Sequence, residues 1–231
     1  MRTLVLASIL ALASLSPASA TLLSTLLLPG GNLSNGLLTL DDFSFTRNCS
    51  GPGICAPLDA SGIDVSLTLN TIHITGGFTA LTIGAVTTAD FVLAYDIASP
   101  LIGINAVQLL FNGAVVGNQS FAQVVETVVT PVNHLAGQGQ VNVPGTLSDT
   151  FALDGSYTQL RITKDLLLVA ADSTGNLAAA TISLVDQIYT GVDINPQCVP
   201  GTCEDAPEPA TNAMLGAGLV GLFFLKRKVV G

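Results

Sequence analysis

The chain has 231 residues, of which 49% are apolar and only 10% charged, with a formal charge of −9 and a mean hydropathy of +0.62. That length suits one domain with terminal tags, and a composition this apolar and charge-poor excludes a disordered chain. Seven Lys and Arg against sixteen Asp and Glu argue against nucleic-acid binding, which needs basic groups facing phosphates.

The first element in chain order is an export signal. Met1 and Arg2 give a short positive start, and residues 3–15 form an apolar run. Ser16-Pro17 breaks that run, and Ala18-Ser19-Ala20 supplies small side chains for a signal peptidase. The order of these parts predicts a secretory signal peptide over residues 1–20, cleaved after Ala20. Residue 21 is Thr, so no lipid-attachment cysteine follows.

Residues 21–192 read as one exported β-rich domain. Val, Ile, Leu, Phe and Thr dominate, which suits strands. Alternation is visible in residues 65–69, 72–75, 160–163 and 181–184, and period 2 marks half-buried strands. Asn112-Gly113 and Asp154-Gly155 are hairpin dipeptides, predicting tight turns at both points. Gly30-Gly31, Asn35-Gly36, Gly76-Gly77 and Gly175-Asn176 add further breaks. Residues 177–189 contain three consecutive alanines, but Thr181, Ile182 and Val185 tilt them to strand. Short strands with frequent turns predict an all-β, antiparallel β-sandwich-like domain.

The four cysteines, Cys49, Cys55, Cys198 and Cys203, lie in the exported part. An even number in an oxidising compartment argues for disulfides, with three connectivities open. The favoured pairs are Cys49–Cys55 and Cys198–Cys203, each enclosing a short Pro-Gly turn, and each expected to pin a local hairpin. The rival is a four-cysteine zinc site, whose usual spacing one of these pairs exceeds.

Candidate chemistry is sparse. His73 lies in a strand pattern and reads as structural or exposed, and His134 lies in a loop after Pro131. Two unconnected histidines make neither a triad nor a metal site, and no nucleotide-binding or hydrolase motif is present. No catalytic residue, metal or cofactor is expected. Asp41-Asp42, the 172–176 segment, Asp193 and Asn195 offer oxygen ligands without an EF-hand spacing, and read as solvated Asx-turns.

Residues 193–206 are acidic and proline-rich, and read as a linker. Pro207-Glu208-Pro209 follows, then an uncharged apolar stretch over 211–225, then Lys226-Arg227-Lys228. An all-round apolar stretch with a basic end predicts one transmembrane helix with the basic tail inside. The stretch is short for a bilayer, and snorkelling of the basic residues lengthens its usable span. Two prolines keep the preceding segment extended, as a processing site needs.

This tripartite end, residues 207–231, resembles the PEP-CTERM sorting segment of bacterial exported proteins. The resemblance implies an exosortase-type processing enzyme acting near Pro207-Glu208-Pro209, a bacterial membrane, and association with exopolysaccharide or biofilm. The leading expectation is therefore an exported, non-enzymatic cell-surface or matrix protein. The alternative is an adhesin or carbohydrate-binding β-sandwich module, with or without calcium. A third reading, an extracellular hydrolase, needs only two suitably placed carboxylates.

Overall fold

The alternating runs fold into strands longer than the turn dipeptides predict. A computed structural model of the chain describes residues 20–193. It begins with β1 (Thr21–Leu22), a single helical turn α1 (Leu23–Leu26), β2 (Leu33–Ser34) and β3 (Thr39–Ser50). β4 (Ile54–Ala56), β5 (Asp64–Thr68), β6 (Thr71–Ile83), β7 (Val86–Ala98) and β8 (Ile102–Val116) follow. β9 (Phe121–Val129), β10 (Leu135–Val143), β11 (Ser148–Tyr157), β12 (Gln159–Ala171) and β13 (Leu177–Asp193) complete it.

Two antiparallel sheets result. One runs β1-β5-β6-β13-β8-β11, with β4 also on β6, and the other runs β10-β9-β12-β7-β3-β2. The expected all-β antiparallel sandwich is the observed architecture. The chain changes sheet after β1, β3, β6, β7, β8, β10, β11 and β12, so most connections cross the sandwich.

That crossing overturns two predicted hairpins. Asn112-Gly113 lies inside β8, and Asp154-Gly155 inside β11. At Gly113 a Cβ would meet the Phe111 ring at 2.6 Å and the Thr181 carbonyl oxygen at 3.0 Å. The glycine thus permits close strand approach opposite a bulge on β13, where the register shifts between Ile182 and Leu184. Asp154-Gly155 sits in the register shift between Ala152 and Tyr157 of β11. Gly76-Gly77, also expected as a break, is a bulge within β6: it lies between the pairs Thr75↔Leu184 and Phe78↔Ile182, with Gly77 at φ +52°. A Cβ on Gly76 would meet the Phe78 ring at 2.8 Å, so the bulge makes room for that ring.

Asn35-Gly36 does form a hairpin turn, between β2 and β3. The Asn35 side-chain oxygen accepts from the Leu37 and Leu38 N–H groups, both at 3.0 Å, and Gly36 sits at φ +86°. Gly30-Gly31 and Gly175-Asn176 also fall between strands, and residues 177–189 are strand, as expected.

The core alternates along each strand. β12 turns Leu160, Ile162, Leu166, Leu168 and Ala170 inward, and β9 turns Ala122, Val124 and Val128 inward. β6 and β7 add Ile72, Ile74, Phe78, Phe91 and Leu93. Burying a large apolar side chain contributes about 1.5–3 kcal/mol.

Cys49 and Cys55 form a disulfide, as expected. Its role differs from the expected local hairpin. Cys49 belongs to β3 of one sheet and Cys55 to β4 of the other, so the bond staples the two layers at an edge. A loop this short gives about 2 kcal/mol in the chain-entropy account. Cys198 and Cys203 lie outside the described residues.

Candidate functional site

Two places in the sandwich hold chemistry. The first is a cleft at one end of the six-stranded sheet. Asp41, Asp96 and Arg161 stand in one cross-strand row on β3, β7 and β12. β3 bulges between Asp41 and Ser44, with Asp42 at φ +48°. The bulge brings the Asp42 carboxylate onto the same guanidinium. One Arg161 nitrogen donates to Asp42 Oδ2 and to Asp96 Oδ1, each at 2.9 Å. Burial pushes the Asp96 carboxyl up, Arg161 opposes that shift, and the Asp42 and Asp41 charges add to it. Arg161 is pushed up, first by its hydrogen bond to Asp42.

The cleft beside this row has a volume of about 480 Å³. Gln159, Leu160, Ile97 and the Thr130, Pro131 and Asn133 loop line its remaining walls. A second, wider cleft of about 790 Å³ shares Asp41 and Asp96 and runs past Asp42, Thr39, Ser34 and Asn32. The two clefts share Asp41 and Asp96 and together are the candidate groove. Neither is lined by Tyr, and Phe43 is the single aromatic side chain at their walls.

The second place lies inside the core. Lys164 and Glu126 occupy inward positions of β12 and β9, where they are direct cross-strand partners. Both are fully buried. Lys164 Nζ donates to Glu126 Oε2, and Gln187 Nε2 of β13 donates to Glu126 Oε1. The Tyr95 hydroxyl of β7 donates to Gln187 Oε1 and lies 3.3 Å from the Tyr189 hydroxyl. The network joins both sheets. Burial pushes the Glu126 carboxyl up and the Lys164 amine down, and each partner opposes the other's shift. Burial and the Glu126 charge hold the Tyr95 phenol well above its usual range.

Sequence reasoning missed this network. Lys164 was visible as one of only three basic residues in the body, with Arg47 and Arg161. The available signal was register: Lys164 falls in phase with Leu160, Ile162, Leu166 and Leu168, and Glu126 with Val124 and Val128. A charge in phase with a core stripe needs a partner.

The histidines take positioning roles. His73 lies opposite Asp186 on adjacent strands, with Nδ1 and Oδ1 2.7 Å apart, and stays partly exposed. His134 meets Asp154 at 2.5 Å, and the Tyr157 hydroxyl donates to the same carboxylate at 2.6 Å. These bonds, led by that of Tyr157, hold the Asp154 carboxyl below its usual range. They tie the β9–β10 loop to β11.

Among the acidic candidates, Asp172 caps an Asx-turn, its Oδ1 accepting from the Thr174 N–H at 2.6 Å. Asp90 and Asp165 approach each other on β7 and β12, and burial and the Asp90 charge push the Asp165 carboxyl up. Neither lines the groove. Among the described residues no group of three potential ligands is arranged to hold a metal ion.

Ala20 is exposed and directly precedes β1. Ala18, Asn195, Pro207, Glu208, Pro209, Lys226, Arg227 and Lys228 lie outside the described residues, as does the expected helix over 211–225. Among the described residues no helix is long and apolar enough to cross a membrane.

No protein-family model matches the chain, and no curated protein matches it. Solved structures similar to it include TmCBM61 in complex with β-1,4-galactotriose, 12% identical over 62% of this chain and 88% of that one, with a TM-score of 0.31. A structure of carbohydrate-binding modules from the β-sandwich superfamily is 11% identical over 63% of this chain and 56% of that one, with a TM-score of 0.26. The enzymatically active domain of bacteriophage CBA120 tailspike protein 4 is 14% identical over 62% of this chain and 19% of that one, with a TM-score of 0.25.

Proposed function

We propose that the chain is an exported, non-enzymatic surface protein whose sandwich binds a neutral polysaccharide in the groove beside Arg161. The observation that carries the reading is the groove itself. Its walls present a guanidinium, three carboxylates and the amides of Gln159, Asn133 and Asn32. Planar groups with paired donors or acceptors suit adjacent sugar hydroxyls. Two neighbouring clefts of about 480 and 790 Å³ leave room for more than one sugar unit, which suits a chain rather than a single sugar. Its acidic balance, with Arg161 already shared by two carboxylates, disfavours a polyanion. The one aromatic ring at the walls, Phe43, is buried against Tyr95, so polar contacts rather than stacking hold the ligand.

The test is retardation of the native chain in gels containing neutral polysaccharides, followed by calorimetry on those that retard it. Arg161→Ala is expected to weaken binding about 10- to 100-fold, the worth of a charged hydrogen bond, while leaving the melting temperature within a few degrees. Equal retardation of the variant, or no retardation of the native chain by any polysaccharide, overturns the reading.

Targeting is the second half of the proposal. Residues 1–20 export the chain, residues 211–225 halt it in the membrane with Lys226-Arg227-Lys228 inside, and Pro207-Glu208-Pro209 presents it to an exosortase-type enzyme. The support is the order of these parts in the sequence. Intact mass of the protein from its bacterial source is expected to show a chain starting at Thr21 and ending near Pro207-Glu208-Pro209. A chain still carrying Lys226-Arg227-Lys228 is a plain membrane anchor and removes the sorting step.

A further inference from the structure

The buried network holds the parts of an amide-exchange reaction. An amine, a carboxamide, a carboxyl group and a phenol meet between the sheets, and all four side chains are fully or almost fully buried. Their connections are directional. The two oxygens of Glu126 are divided between two nitrogens, Oε2 taking Lys164 Nζ and Oε1 taking Gln187 Nε2. The carbonyl oxygen of Gln187 receives the Tyr95 hydroxyl. An amide carbon becomes a better electrophile when a donor sits on its oxygen. An amine becomes a nucleophile when its proton has a base to go to.

We propose that Lys164 and Gln187 form an intramolecular isopeptide bond that ties β12 of one sheet to β13 of the other. The Nζ lone pair attacks Gln187 Cδ, and the Tyr95 hydroxyl stabilises the oxygen as its negative charge develops. Glu126 takes one proton from Nζ on Oε2 and delivers one to Nε2 from Oε1. The Cδ–Nε2 bond breaks and ammonia leaves. The product is a secondary amide between Lys164 Nζ and Gln187 Cδ. One amine and one primary amide give one secondary amide and ammonia, so no oxidant, reductant or other reactant is needed.

Three features favour this outcome over a plain ion pair. Burial lowers the Lys164 amine and raises the Glu126 carboxyl, which favours the neutral amine and the proton-carrying acid. Both nitrogens rest on one carboxyl group, so the reacting groups are already gathered, and such proximity replaces a bimolecular collision. The site is closed to water, which would otherwise divert the reaction to hydrolysis. Gln187 is the acceptor rather than Glu126, because the phenol donor sits on the Gln187 oxygen.

The test is the intact mass of the full chain after reduction of its disulfides. Ammonia loss predicts a deficit of about 17 Da relative to the sequence, with the bond surviving denaturation as a covalent link does. Cleavage at the aspartates, which stand at 165, 172 and 186 between the two residues, should release one species joining the Lys164 and Gln187 peptides. The variants Glu126→Gln and Lys164→Arg should show the full mass, and Tyr95→Phe should form the link more slowly. A folded native chain of full mass overturns the proposal, whether or not the variants fold. A deficit of about 18 Da with Lys164 joined to Glu126 overturns the choice of acceptor. An ammonia deficit without the joined peptides places the loss elsewhere and overturns it too.

Discussion

Replacing Glu126 by alanine is expected to destabilise the domain by about 3–5 kcal/mol, because it leaves a buried lysine without its partner. For a domain of this size that shifts the melting temperature by on the order of 10 °C. Two groups lose their acceptor at once, since Lys164 Nζ and Gln187 Nε2 both donate to this carboxyl. Burial makes the loss large: neither nitrogen can turn to water. Replacing both Glu126 and Lys164 by methionine is expected to recover part of the loss, because no charge then stays unpaired, while the Lys164–Gln187 link is absent from both variants. It should not recover all of it, because Gln187 Nε2 remains buried without an acceptor. Thermal and urea denaturation of the two variants check both statements. A single-variant loss below about 1 kcal/mol, the scale of exposed ion pairs, would contradict the buried geometry.

The second large effect belongs to Phe91, where alanine is expected to cost about 3–5 kcal/mol. Phe91 is fully buried on β7 of the six-stranded sheet. Its ring meets that of Phe78 from the facing sheet edge-on, with centroids 5.2 Å apart, and stacks near Phe45 at 6.3 Å. Such pairs add about 0.5–1.5 kcal/mol beyond area burial. The Phe78 ring cannot collapse into the space cheaply, because it is seated over Gly76 in the β6 bulge. Phe91→Leu should cost much less, since it leaves a smaller void. Denaturant midpoints of the two variants measure the difference, and near-equal losses would mean that the site repacks.

These two predictions differ in how far the sequence foretold them. Phe91 opens an unbroken apolar run, 91–95, whose composition marks it as core-forming although periodicity does not resolve it. Glu126 and Lys164 share the phase of their core stripes, yet their types point outward. Only the pairing of β9 with β12 shows that each charge lies opposite the other. The groove has the same history. Asp41-Asp42 was visible as an acidic pair, but Asp42 and Arg161 are 119 positions apart. Their contact depends on a bulge in β3 that no local dipeptide announces. The turn dipeptides show the limit most directly. Asn-Gly and Asp-Gly permit unusual backbone angles, and a strand can use that freedom for a bulge as readily as for a reversal. Which use prevails is decided by whether the flanking segments pair with each other or with distant strands. Asn35-Gly36 joins neighbours that pair, and it is a hairpin. Asn112-Gly113 lies in a strand held on both sides by β13 and β11, and it runs straight on.

By itself the sequence determined the strand-rich, sandwich class, and it favoured the Cys49–Cys55 pair. Both follow from chemistry legible over a few neighbouring residues: alternation along a strand, and a short Pro-Gly loop between two cysteines. The tertiary structure alone decided that the chain crosses between sheets at most of its connections. It alone turned that disulfide into an inter-sheet staple, gathered Asp42, Asp96 and Arg161 at one groove, and closed Lys164, Glu126, Gln187 and Tyr95 into one buried network. The physical reason is that sheet pairing is non-local. A strand's period states which side chains face inward, and only its partners state what they meet there.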